Sequence, residues 1–125
     1  MRRNNLTVIM CVFLVNTLFV TGCNRARHTS HSQETDALFR AVRAGSPDTV
    51  MALLSSPKVD VNAVDEQGNT PLIEAARLGH DKIVTALLIA HADTSIKNDE
   101  GKTALMLAAE GRHDETVRVL TDASK

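Results

Sequence analysis

The sequence predicts an all-α fold, a short solenoid of three helix-turn-helix units with hairpin loops, and three observations carry that reading. The first is self-similarity. Gly68-Asn69-Thr70-Pro71-Leu72 is answered by Gly101-Lys102-Thr103-Ala104-Leu105, Ala75-Ala76 by Ala108-Ala109, and His80-Asp81 by His113-Asp114, each at an offset of 33. Leu38, Ala41, Gly45, Val50 and Leu53 precede Leu72, Ala75, Gly79, Val84 and Leu87 by 34, yet Asp60 precedes Asp93 by 33. The one-residue difference localises to Ser55-Ser56-Pro57-Lys58-Val59. The second observation is composition: 125 residues are 43% apolar but only 2% aromatic, with no Trp or Tyr. A core of Ala, Leu, Val and Ile is thin and closely spaced, which suits short packed helices. The third is punctuation, because each unit carries cap and stop residues where a helix pair needs them.

Residues 1–22 read as a secretory signal. Arg2 and Arg3 precede an apolar stretch from Leu6 to Val20, and small residues follow. At 15 residues the stretch is short; a helix needs roughly 20 to span a bilayer. Val20-Thr21-Gly22-Cys23 resembles the bacterial lipobox. That resemblance implies diacylation of the Cys23 thiol, cleavage just before it and acylation, commonly by palmitate, of the new amino group. Several acyl chains hold a protein stably on a membrane. Asn24, in place of the Asp that marks inner-membrane retention in such lipoproteins, implies the outer membrane, facing the periplasm. Cys11 leaves with the signal, so no disulfide framework is expected.

Residues 23–33 form the lipidated Cys and a polar tether, with Arg25, Arg27, His28 and His31 among small polar residues. His28 and His31 have no Cys or carboxylate at fixed spacing beside them, so a solvated linker is favoured over a metal site. The repeats then occupy 34–67, 68–100 and 101–125. In the first, Ser46-Pro47-Asp48 supplies a cap, a first-turn Pro and an acidic start for the second helix. In the middle unit Thr70 caps a helix from Pro71 to about Leu78, and Gly79 stops it in the left-handed conformation. A second helix starts at Asp81, with Ile83, Val84, Ala86, Leu87, Leu88 and Ile89 filling most of one side. Ala92 to Asn98 is polar and extended, and Asp99-Glu100-Gly101 makes a turn. The third unit repeats the plan with Ala104 at the Pro position. Thr121, Asp122, Ser124 and Lys125 are expected to give the polar outer face of a terminal unit.

A 33-residue unit carrying Gly-x-Thr-Pro-Leu, Ala-Ala and Gly-His resembles the ankyrin repeat. Gly68 to Leu72, Ala75-Ala76, Gly79-His80, Ile83-Val84, Ala86-Leu87-Leu88 and Ala92-Asp93 all fall on the family pattern, as does Asp60-Val61-Asn62-Ala63 before the middle unit. There are departures. Ile73 and Met106 stand where the family has His, His91 where it has Gly, and Gly111-Arg112 inverts the order before His113. His is among the residues that tolerate a left-handed turn.

No nucleophile elbow, zinc-protease helix, phosphate loop or calcium loop is present in the sequence. No catalytic residue, metal site or cofactor is therefore expected. His80 and His113 read as turn residues repeated by the fold rather than a ligand pair. Asp65-Glu66 and Asp99-Glu100 read as solvated loop tips. The near-neutral balance, 14 basic against 15 acidic residues, and the scarcity of rings argue against nucleic-acid binding. Resemblance to ankyrin domains implies a protein partner gripped by hairpin tips and first helices. The tips offer Val64, Glu66, Gln67, Asn69, Lys97, Asp99, Glu100 and Lys102. The helices offer Arg40, Arg43, Ile73, Arg77, Leu78, Met106 and Glu110. Ile73 and Met106 either form the apolar centre of this surface or pack between helices. The expectation is a non-enzymatic, membrane-anchored binding protein, monomeric when free. Its best reading is an immunity protein that inhibits a secreted antibacterial toxin such as a phospholipase. Alternatives are an envelope assembly or stress-response scaffold and, least favoured, a small hydrolase.

Overall fold

The computed structural model describes residues 33–125. The signal, the lipobox with Cys23, and His28 and His31 of the tether lie outside the described residues. Among the described residues six helices follow in order: α1 Gln33–Ala44, α2 Pro47–Leu54, α3 Pro71–Leu78, α4 Asp81–Ile89, α5 Ala104–Glu110 and α6 Asp114–Ala123. No strand occurs among the described residues. The helices form three antiparallel pairs stacked side by side. The first helices α1, α3 and α5 make one layer and the second helices α2, α4 and α6 the other.

Local chemistry sets most boundaries. The Thr70 and Thr103 hydroxyls accept from the backbone N–H of Ile73 (3.2 Å) and Met106 (3.4 Å), satisfying donors that the first turn of a helix leaves free. Gly45 and Gly79 end α1 and α3 with φ of 69° and 74°. Ser46 precedes Pro47 as expected, but its side chain makes no capping bond, so α2 starts from the Pro and the Asp48 carboxylate alone. His91 takes φ 63° after α4, in the slot where the family pattern has Gly. After α2 the turn is different: Ser56 N–H donates to the Leu53 carbonyl at 3.0 Å and Val59 N–H to the Ser56 carbonyl at 3.3 Å, with the extra residue absorbed in this segment.

The core runs through the stack. Leu38, Val42, Val50, Leu72, Ile73, Val84, Leu87, Ala108 and Leu120 form one cluster threaded by Ala41, Ala75 and Ala76, whose small side chains let helices approach closely. Phe39 is buried at the edge of α1, with the Arg43 guanidinium 6.0 Å from its ring centre. Two expectations need correction. Ile89 does not join the apolar side of α4 but is 75% exposed at its last turn. The outer face of the third pair is not simply polar either, because Leu105 and Met106 stand on it at 37% and 49% exposure.

Candidate partner-binding groove

The segments between pairs make finger-like hairpins braced by side chains. Asp65 Oδ1 accepts from the backbone N–H of Gln67 (3.0 Å) and Asn69 (2.9 Å). Asn98 Oδ1 does the same for Glu100 (3.0 Å) and Lys102 (3.0 Å). Gly68 and Gly101 turn the tips at φ 74° and 75°. The fingers are tied to one another: Asp99 N–H donates to the Gln67 carbonyl at 3.1 Å, Asn98 Nδ2 to Asn69 Oδ1 at 3.0 Å, and Asp93 N–H to Asn62 Oδ1 at 2.8 Å. Asp65 is therefore a structural brace, not a free loop-tip carboxylate.

Between fingers and first helices lies a groove of about 800 Å³. Its floor is built around one buried carboxylate. Glu74, in the first turn of α3, is only 3% exposed. Arg77 donates to it from Nε (3.1 Å) and Nη2 (2.8 Å), and Arg43 of α1 from Nε (3.2 Å). Arg43 Nη2 also reaches Asp65 Oδ2 at 3.1 Å, joining the floor to the finger. Burial opposes ionisation of Glu74, but hydrogen bonding and attraction from Arg77, then Arg43, prevail and hold its pKa below the ordinary glutamate value. Both arginines keep half their side chains open to the groove. The rim carries Glu66, Asp99 and Glu100. Residues 34–100 hold 6 basic and 11 acidic groups, so the groove sits in a negative field.

Of the residues expected to bind a partner, Arg43, Glu66, Gln67, Asn69, Arg77, Leu78, Asp99 and Glu100 line this groove together. The others lie elsewhere. Ile73 is 1% exposed and belongs to the core, so the apolar line it would share with Met106 does not form on the surface. Met106 faces the end of the stack. Lys102 bridges Glu110 (2.9 Å) and Glu100 (3.3 Å), and these hydrogen bonds raise its pKa. Arg40 and Lys97 are exposed and Val64 half-buried, outside the groove lining. The sequence reading leaves out Glu74, Asn98 and Leu107 and takes Asp65 for a solvated loop tip. The signal for Glu74 was present: Arg77 follows it at i+3, and Arg43 holds the same register one unit earlier.

The histidines serve packing. The His80 ring lies against Gly45 and the His113 ring against Gly79, where an added Cβ would come within 2.9 Å and 2.5 Å of ring atoms. His113 Nε2 is 3.2 Å from the Arg77 carbonyl at the end of α3. Among the described residues no three His, Cys, Asp or Glu side chains are grouped to hold a metal ion, and no helix is long and apolar enough to cross a membrane.

Two family models match the chain. The model described as "Ankyrin repeats (3 copies)" matches residues 8–98, beginning upstream of the described residues. The model described as "Ankyrin repeat" matches residues 100–124 and takes in α5 and α6. Stacked helix pairs, left-handed Gly stops, braced fingers and these matches agree: the chain belongs to the ankyrin-repeat proteins, whose repeats form a protein–protein interaction module.

Proposed function

We propose that this protein is an envelope lipoprotein, anchored through Cys23 and facing the periplasm, whose groove binds and inhibits a protein partner. The observation that carries the binding half is the preset floor, in which a buried Glu74 fixes two half-open arginines between acidic finger tips. Preorganised side chains lower the entropy lost on association. A negative rim favours a partner presenting basic side chains. The anchoring half rests on Val20-Thr21-Gly22-Cys23 and the basic-apolar start of the sequence. An inhibitor held on the membrane is stationed where a membrane-attacking toxin works, so the partner we favour is a secreted antibacterial phospholipase, and the protein is its immunity factor.

The test uses the tagged full chain in bacterial envelopes. Labelled palmitate is expected on the parent and absent from Cys23→Ala. The parent is expected to co-purify stoichiometrically with one toxin-like partner and to protect cells expressing it. Glu66→Lys, at an exposed finger tip, should weaken capture severalfold or more while the melting temperature holds. Capture of many envelope proteins without protection would instead point to an assembly or stress scaffold. Turnover of an envelope substrate by the purified chain would refute a pure binding role.

A further inference from the structure

The three helix pairs occupy equivalent places in one stack, so equivalent residues reveal which side of a pair meets the next and which meets the previous one. Leu72, Ile73 and Ala76 of α3 are buried, whereas their equivalents Leu105, Met106 and Ala109 of α5 are exposed. These positions face a following pair. Conversely, Glu74 and Ile83 of the middle pair and Leu107 and Thr116 of the third are buried, while Arg40 and Thr49 of the first are exposed. Those positions face a preceding pair.

Contacts across the first internal junction show how charge links the two sides. At the first junction Arg43 holds Glu74 of the next pair at 3.2 Å and the finger residue Asp65 at 3.1 Å. The third-pair equivalent of Arg43 is Glu110, which already holds the finger residue Lys102 at 2.9 Å. The first-pair equivalent of Glu74 is Arg40. Both signs are reversed, so Arg40 of a second copy would meet Glu110 as Glu74 meets Arg43. Size is reversed as well. Gly45 and Gly79 receive the rings of His80 and His113. In the third pair their position is held by the exposed Arg112, with φ 57°, and the position of the two His in the first pair is held by Ser46. Large faces small at both internal junctions, and the order of sizes is exchanged between the outward positions of the third and first pairs.

We propose that the third pair of one copy stacks head-to-tail on the first pair of a second copy, continuing the solenoid between chains. Leu105 and the adaptable Met106 supply the apolar contact, Glu110 with Arg40 the ion pair, and Arg112 over Ser46 the steric fit. This departs from the monomer expected from sequence, and it leaves the groove residues untouched. Charge also permits it: residues 101–125 carry 4 basic and 4 acidic groups, so the approaching end is neutral although the rest of the domain is acidic. A head-to-tail contact is heterologous, and unless its rotation closes a ring it continues past the dimer.

Light scattering of the full chain in detergent, over about a hundredfold dilution at low salt, is expected to give a protein mass that climbs with concentration through dimer to larger species. Arg40→Glu and Glu110→Arg should each weaken association roughly tenfold, and the double variant should restore it, because like charges in each single variant become opposite again. Arg40 is exposed, so circular dichroism and melting of Arg40→Glu should be unchanged, while Glu110→Arg gives up an exposed ion pair with Lys102 and should keep its circular dichroism with at most a small fall in melting temperature. A mass that stays monomeric throughout overturns the proposal. So does association indifferent to both charge reversals. A plateau at dimer that only Leu105→Glu abolishes also overturns it and assigns the end face to two-fold pairing.

Discussion

Glu74 decides more of this surface than any other side chain. Removing it in Glu74→Ala leaves two guanidiniums beside an apolar floor without their shared anion, and unfolding experiments should show a loss of about 2 kcal/mol. Glu74→Gln keeps the shape and isolates the charge. The folded-state pKa lies below the ordinary value of 4.5, so the ionised carboxylate contributes stability that is fully present above that value. It is lost as pH falls through the lowered folded pKa. The stability gap between parent and Glu74→Gln should therefore be constant above about pH 5 and shrink on further acidification; a gap that widens in acid would refute the assignment. Left-handed positions give a second pair of tests. Arg112→Gly should stabilise by up to about 1 kcal/mol, because Arg bears backbone strain at φ 57° that Gly does not. Gly79→Ala should cost about 2 kcal/mol, since its Cβ both meets φ 74° and lands 2.5 Å from His113 Nδ1.

At the scale of elements, helix starts that look alike in sequence differ in what holds them. Thr70 makes its capping bond and Ser46 does not. Thr70→Ala should lower stability by about 1 kcal/mol, while Ser46→Ala should stay within about 0.5 kcal/mol, as thermal melts of the two variants will show. The helices themselves are legible in the residues: Pro71 to Leu78 and the start at Asp81 fall where expected, because Thr, Pro, Gly and Asp act locally. The fingers are legible as loops but not as braced ones. Asp65 next to Glu66 reads as a solvated acidic pair, and only the closure of the hairpin turns Oδ1 onto two N–H groups. Ser46 misleads for the converse reason: residue type permits a cap, but side-chain geometry decides whether one forms.

Across the whole molecule, repetition is what makes the fold readable, since three copies of one pattern carry far more information than any single copy. The groove is half readable on the same ground, because finger residues such as Gln67, Asn69 and Asp99 keep fixed register. What escapes depends on position in the stack rather than on residue type. Ile73 and Met106 occupy one register and are both apolar, yet one is sealed beneath a following pair and the other stands at its end. Glu74 escapes because a lone acid in an apolar helix reads as exposed until Arg43, 31 residues away, is brought to it.

A core assembled without a single indole or phenol has a spectroscopic corollary. With no Trp or Tyr in 125 residues and Phe39 the only Phe among the described ones, the chain is nearly dark at 280 nm and silent when excited at 295 nm. In any mixture with a partner, ultraviolet emission reports the partner alone. Its quenching, anisotropy and spectral shift become a label-free gauge of engagement, and a lone Trp placed at Leu78 would read the groove against an empty background.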